Sequence, residues 1–192
     1  MMDDNKLLKL RYQSGSFLTA YINLSILNSQ TSDLTFTIPM IVNGAFSAEL
    51  TLKALLTKEG IQYSKDHNLL YLFSLLPDDI ALQIVNDTMS RTPAFRDINN
   101  WLDNLICISD AFEEWRYAYE ANHSLVLDTN FLQAFVQACN QVLSNRFGGV
   151  CESKEVSAGN EQEIEQKLDA AKQQTKEAVI QKLQNKKGGW YQ

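Results

Sequence analysis

Apolar residues recur every three or four positions along most of the chain, which is the spacing of one face of an α-helix. Residues 5–29 place them at Leu7, Leu10, Phe17, Tyr21, Leu24 and Leu27. A short extended piece is predicted at 35–38, because the residue before Pro39 avoids the helical region. From about Met40 the pattern is helical again, and its apolar face is predicted to contain Ala45, Ala48, Leu52, Leu55 and Leu56. Gly60 is predicted to lie just past the end of this helix. The N-terminal third therefore predicts two long helices.

Acidic residues mark the starts of three further helices. Asp66 is predicted to cap a short helix over 67–76. Asp78 and Asp79 lie where carboxylates favour a helix N-terminus. Asp128 is predicted to cap a last long helix. The inner face of that helix is predicted to contain Leu132, Phe135, Val136, Cys139 and Val142 or Leu143.

The segment AFRDINNWLDNLICISDAFEEWRYAYEANH carries one stripe with alternating steps of three and four. The stripe predicts a single long helix whose face points inward. Arg116 is its exceptional member, because an unpaired buried charge is costly. If the helix continued, His123 would lie near the same face, two turns further along. The stripe consists of Phe95, Ile98, Leu102, Leu105, Ser109, Phe112, Arg116 and Tyr119.

The composition agrees with a helical fold, since the chain of 192 residues has only 3 Pro and 8 Gly. We predict an all-α, antiparallel helical bundle over residues 1–150, with four core helices and several short ones. Residues 151–192 are rich in Glu, Gln, Lys and Ala. They predict a charged C-terminal tail that is either a solvated helix, packed by one narrow edge, or partly disordered.

The net charge of −6 argues against non-specific binding to long nucleic acids, which depends on Lys and Arg displacing counterions. It does not exclude a small basic pocket that binds a phosphate. Two histidines and no C-x-x-C spacing predict no metal site, and no cofactor motif is present.

Cys107 and Cys139 lie among apolar residues and are predicted to be small core side chains. An odd number of cysteines suits a reducing compartment. The start lacks the apolar region of a signal peptide, and no run of about 18 apolar residues occurs. We therefore predict a cytoplasmic protein without a membrane partner.

Three segments together resemble the HEPN (higher eukaryotes and prokaryotes nucleotide-binding) family. They are AFSAELTLKALL, HNLLYLF and AFEEWRYAYEANH. The matching features are Glu49 with Lys53, the turn His67-Asn68-Leu69, and Arg116 followed by His123 after six intervening residues. The resemblance covers about residues 5–147.

This resemblance implies a small helical bundle that forms a homodimer. Many members are metal-independent endoribonucleases of toxin–antitoxin and antiviral defence systems, and their active site at the dimer interface takes an Arg and a His from each subunit. The resemblance therefore implies Arg116 and His123 as catalytic residues, RNA as the substrate, and an antitoxin or other protein as a partner. Tyr117 departs from the family, because active members often have Asn, Asp or His after the Arg.

Metal-free RNA cleavage uses the 2′-OH as nucleophile, a base and an acid to move protons, and a fixed cation for the phosphate charge. His123 suits proton transfer, and Arg116 suits phosphate binding because its planar guanidinium stays charged. Glu120, one turn after Arg116, could orient it. Glu49 is a further candidate partner for Arg116 or Lys53.

Alternative interpretations stay open. Arg116 could pair with Glu113, Glu120 or Glu49 only to join helices. His67 could serve only to anchor its turn. Aromatic residues could stack bases or belong to the core; they are Trp101, Trp115, Tyr117 and Tyr119. The chain would then be a catalytically inactive HEPN-like module that binds proteins or nucleotides.

Overall fold

The computed structural model describes residues 4–31, 35–92, 97–120 and 126–147, together with Gln166, Asp169, Ala170 and Gln173. These residues form helices joined by turns and irregular loops, and none of them is in a strand. This confirms the predicted all-α helical bundle. The helices are α1 (Asp4–Gln30), α2 (Thr37–Lys58), α3 (Leu69–Ser74), α4 (Asp78–Arg91), α5 (Ile98–Ile108), α6 (Ala111–Arg116) and α7 (Thr129–Arg146), with a 3₁₀ turn at Ala118–Glu120.

Helix α2 is the centre of the bundle, since 13 of its 22 residues are buried and it packs against α1, α3, α6 and α7. It is antiparallel to α1. Thr37 donates a hydrogen bond to the side chain of Asn28 (2.9 Å), and Ser47 donates one to the carbonyl of Ser14 (3.0 Å). Both serines are buried, so this bond satisfies polar groups between the two helices.

Helix α7 covers another side of α2 and pairs with α4. Arg146, its last residue, forms ion pairs with Glu59 and with Asp79 at the start of α4. Near the middle of α7, Gln137 accepts a hydrogen bond from Arg91, which ends α4. Helices α4 and α7 are therefore antiparallel. Aromatic side chains fill the core beside them; they are Phe73, Trp101, Phe131 and Phe135.

Two of the predicted helix starts are confirmed. Helix α4 begins at Asp78. The side chain of Asp128 accepts hydrogen bonds from the backbone N–H groups of Asn130 and Phe131 at the start of α7. The inner face predicted for α7 is buried throughout.

Two other predictions about helix starts are wrong. The piece predicted as extended at 35–38 is a turn followed by the first residues of α2. Pro39 is tolerated in this first turn, where its missing N–H has no helical partner to lose. The cap of α3 is Asn68, which accepts from the N–H of Tyr71 (2.7 Å), and Asp66 instead accepts from the N–H of Asn68 (3.0 Å).

The single helix predicted across 95–119 is broken between α5 and α6. The carbonyl of Ser109 accepts the N–H of Leu69 (2.9 Å), and the N–H of Glu113 bonds instead to the carbonyl of Asp110 (3.0 Å). A bond from a distant segment therefore replaces the helical bond that Ser109 would have accepted. Phe95, the first member of the predicted stripe, lies outside the described residues.

The cysteine prediction is correct at one position. Cys139 is fully buried, and burial raises the pKa of its thiol. Cys107 is exposed, because it lies on the face of α5 that points away from the core. The predicted tail, apart from four exposed helical residues, lies outside the described part, and its boundary at 150 remains a prediction. None of the described helices is long and apolar enough to cross a membrane.

Two glycines in long helices allow a test of this packing. A Cβ atom at Gly44 would lie 2.9 Å from the ring of Tyr21, which is 2% exposed, whereas one at Gly15 would meet nothing within 4 Å. Gly44→Ala is expected to lower the free energy of unfolding by about 1–3 kcal/mol through overpacking. Gly15→Ala should raise it by about 0.5–1 kcal/mol. Urea denaturation measures both changes, and equal stabilisation by the two variants would contradict the close approach of α1 and α2.

Candidate functional site

A buried carboxylate on α2 contacts an ammonium group and an imidazole. Glu49 is 1% exposed, and its Oε1 lies 2.6 Å from Nζ of Lys53, one turn further along α2. Both of its oxygens lie 3.0 Å from Nδ1 of His67, in the turn before α3. The side chain of His67 is 39% exposed. The buried acid is therefore fully paired, and one of its partners extends to the surface.

The turn that contains His67 is fixed to the break between α5 and α6. The side chain of Asn68 donates to the carboxylate of Asp110 (2.8 Å), and the N–H of Leu69 donates to the carbonyl of Ser109 (2.9 Å). These bonds bring the turn against α6. The imidazole of His67 consequently packs on the ring of Phe112, with their centres 5.2 Å apart.

The ring of Phe112 also contacts the guanidinium of Arg116, the last residue of α6. The guanidinium carbon of Arg116 lies 4.8 Å from the centre of the Phe112 ring and 4.6 Å from that of Tyr117. Its Nη2 donates to the hydroxyl of Tyr117 (2.9 Å). On α2, Phe46 stacks on Phe112 with ring centres 4.4 Å apart. Two aromatic rings thus fix a charged group at the surface.

We call Glu49, Lys53, His67, Phe112 and Arg116 the Phe112 cluster. The guanidinium of Arg116 and the imidazole of His67 both lie against Phe112, so they are no more than about 10 Å apart. The charge of Glu49 is balanced by Lys53, which leaves Arg116 as an additional cation. The guanidinium of Arg116 can therefore bind an anion at short range, although the whole chain is acidic and the Asp110 carboxylate lies against the same turn.

The predicted inward orientation of Arg116 is wrong, because it is exposed. The break after α5 changes the direction of the chain, and α6 ends at Arg116 itself. The helix does not continue from Arg116, since a 3₁₀ turn follows at Ala118–Glu120, so the condition for placing His123 on the same helical face is not met. Within the described ranges, Arg116 forms no ion pair with Glu49, Glu113 or Glu120.

The remaining predicted site residues have different outcomes. Glu49 pairs with Lys53, one of its two candidate partners. Tyr117 and Glu120 are both exposed, and Tyr117 contacts Arg116 directly. His123 lies outside the described residues, so its position relative to Arg116 stays a prediction. Among the candidates for base stacking, Trp101 is fully buried and belongs to the core.

The roles of His67 and Phe112 in this cluster are absent from the sequence predictions. His67 is 18 positions from Glu49 along the chain, so no local spacing indicates their contact. One feature of the sequence could have indicated His67 as a site residue. The chain has only two histidines, and His67 follows a helix in which Glu49 and Lys53 are four positions apart. In the part of the chain that the structure describes, no group of three or more His, Cys, Asp or Glu could hold a metal ion.

Comparison with known proteins gives the class to which this helical domain belongs. The family model of the HEPN domain matches residues 41–143, which is more than half of the chain. The chain therefore belongs to the HEPN family, and the matched range contains every member of the Phe112 cluster. Searches of the curated proteins and of the solved structures found no match. HEPN membership indicates a nucleotide-binding or ribonuclease-type module, and HEPN domains commonly dimerise.

Proposed function

We propose that this HEPN domain is a metal-independent endoribonuclease in which Arg116 binds the scissile phosphate and His123 transfers a proton. The observation that carries the proposal is the state of Arg116. Its guanidinium is exposed, supported by two rings, and not paired with Glu49, Glu113 or Glu120 in the described ranges. A guanidinium keeps its charge at every physiological pH, and its planar fork matches phosphate oxygens.

Phosphodiester cleavage develops negative charge on the phosphate oxygens in the transition state. A cation that is already in place when this charge develops stabilises it without reorganisation. The stacked position of Arg116 between Phe112 and Tyr117 provides that fixed geometry. In the proposed metal-independent cleavage the 2′-OH of the substrate acts as nucleophile, and the reaction is specific for RNA because DNA lacks this group.

The proposal extends to assembly and partners. A homodimer would bring a second Arg116 to the cleft and raise its positive charge. The expected mass by light scattering is then about 44 kDa, twice the 21.8 kDa of the chain. A monomer mass would contradict the dimer.

A ribonuclease in the cytoplasm must be restrained, so we propose a toxin or defence effector with an antitoxin or other protein partner.

Two matched oligonucleotides test the proposed reaction. One is all RNA, and the other is the same RNA with a single 2′-deoxy nucleotide on the 5′ side of the preferred cleavage position. In EDTA, the protein is expected to cut the first and to leave the second intact at that bond, because the nucleophile is missing. Cleavage of both at the same rate would contradict the mechanism. Nucleotide binding without any RNA cleavage would favour a binding module instead.

A further inference from the structure

The geometry points to a second catalytic histidine: we propose that His67, oriented by Glu49, is the base that removes the proton from the 2′-OH. This inference rests on the RNA cleavage proposed above and assigns one of its two proton transfers. It adds His67 to the proposed catalytic residues Arg116 and His123.

The contact with Glu49 determines which nitrogen of His67 is available for chemistry. A carboxylate oxygen accepts hydrogen bonds, so the nitrogen 3.0 Å from both oxygens of Glu49 carries its hydrogen. In the neutral ring Nδ1 is then the donor, and Nε2 has a free lone pair. A histidine that is oriented through one nitrogen while the other exchanges a proton is the arrangement used by general bases in many enzymes.

Access and rigidity both suit this role. The Nδ1 edge of His67 faces a carboxylate that is 1% exposed, yet 39% of its side chain is open to solvent. The carboxylate is held from its other side by Lys53. The turn is held by Asn68 on Asp110 and by Leu69 on Ser109. The imidazole is therefore fixed at its Nδ1 edge and partly open to solvent.

The separation of His67 and Arg116 suits one phosphodiester. The two groups are at most about 10 Å apart across Phe112. A hydrogen bond from guanidinium to phosphate and one from hydroxyl to imidazole each span about 3 Å between heavy atoms. This upper limit leaves at most about 4 Å between the two bound oxygens, and a phosphate oxygen and the neighbouring 2′-oxygen of one linkage lie within that range. One ribonucleotide linkage can thus contact both side chains.

The proposed step is a transesterification. The 2′-oxygen forms a bond to phosphorus, and its proton moves to Nε2 of His67. The bond from phosphorus to the 5′-oxygen breaks, and this oxygen takes a proton from His123, the proposed acid. The products are a 2′,3′-cyclic phosphate and a 5′-hydroxyl. Arg116 binds the non-bridging oxygens, where charge increases.

A sulfur-substituted substrate distinguishes a base from an acid. We compare RNA containing a bridging 5′-sulfur with ordinary RNA, because a thiolate leaves without receiving a proton. His67→Asn keeps an amide donor for Glu49 but cannot accept the proton. It is expected to slow cleavage of both substrates by about 10²–10⁴-fold. His123→Ala should slow the oxygen substrate strongly and the sulfur substrate much less.

Three further variants separate chemistry from folding. Added imidazole should restore cleavage to His67→Ala at least partly, which a purely structural role would not allow. Glu49→Gln should lower kcat and leave KM unchanged, as a positioning residue does. Lys65→Ala, an exposed change in the same turn, should keep the wild-type rate. Circular dichroism confirms that each variant is folded, and His67→Asn replaces His67→Ala if the latter unfolds.

The two proposals fail in distinguishable ways. If Arg116→Ala slows cleavage by about 10²–10³-fold and His67→Asn keeps the wild-type rate, the role of His67 is overturned and the ribonuclease proposal stands. A selective loss on the oxygen substrate alone would make His67 the acid and would also overturn its assignment as base. If the wild type cuts no RNA in EDTA, both proposals fall.

Discussion

Replacing Lys53 with methionine is expected to lower the free energy of unfolding by about 2–3 kcal/mol, because the buried Glu49 loses one of its two partners and keeps only His67. The reason is the environment of Glu49, which is 1% exposed and has Nζ of Lys53 only 2.6 Å from its Oε1. Methionine preserves most of the volume but removes the charge, so the carboxylate loses its closest cation in a site that excludes water. Urea denaturation at neutral pH measures the loss.

Two controls make this result specific. The double variant Glu49→Gln with Lys53→Met should recover most of the stability, because it leaves no buried charge. Arg91→Met removes an ion pair of the same i,i+4 spacing and an exposed hydrogen bond to Gln137, but Arg91 and Asp87 are both about 30% exposed. It should cost less than about 1 kcal/mol. If Lys53→Met costs no more than Arg91→Met, the ion pair of Glu49 is not a buried one.

Arg116→Ala is expected to slow RNA cleavage by about 10²–10³-fold, the usual effect of removing one group that stabilises transition-state charge. The stability of the fold should change little, because Arg116 is exposed and its ring contacts contribute about 0.5–1 kcal/mol. Arg116→Lys should recover only part of the rate, since an ammonium lacks the planar fork. Single-turnover cleavage in EDTA measures these rates.

Arg11→Ala is the matched control for Arg116→Ala. Arg11 is also exposed and also lies over an aromatic ring, with its guanidinium carbon 4.5 Å from the centre of Phe147. It lies on α1, outside the Phe112 cluster. Its variant should cleave RNA at the wild-type rate. Equal losses in the two variants would indicate general electrostatic attraction of RNA and not a specific phosphate site.

The parts of the fold that sequence predicted correctly are those determined by local pattern. Helix α7 has a cap at Asp128 and a regular apolar face, and both lie within one segment of the chain. The inner face of α2 follows in the same way from Ala45, Ala48 and Leu52, which are fully buried. Gly60, with a φ of 71°, ends α2 as its position predicts.

The break between α5 and α6 has no comparable local signal. It depends on the hydrogen bond from Leu69 to Ser109, which joins segments 40 residues apart. The orientation of Arg116 depends on that break. The assumption of one continuous helix therefore predicted that Arg116 faces the core, whereas it is exposed. Periodicity describes a helix that continues, and cannot show where a distant N–H group interrupts it.

The candidate site was accessible from sequence only in part. The resemblance to HEPN proteins identified the family, and the match over 41–143 confirms it. It also directed attention to Arg116 and Glu49. The resemblance did not predict the contact of His67 with Glu49 or the position of Phe112 beside both His67 and Arg116. These contacts depend on how α2, α3 and α6 pack against one another.

The chemical ends of the RNA fragments test the central claim most directly. Wild-type protein is incubated with a defined RNA in EDTA, and the fragments are weighed by mass spectrometry. Attack by the 2′-OH, with Arg116 on the phosphate, predicts a 2′,3′-cyclic phosphate on one fragment and a 5′-hydroxyl on the other, and the same fragments formed about 10²–10³-fold more slowly with Arg116→Ala. Fragments with a 3′-hydroxyl and a 5′-phosphate, or the same fragments formed at equal rates by both proteins, would contradict it.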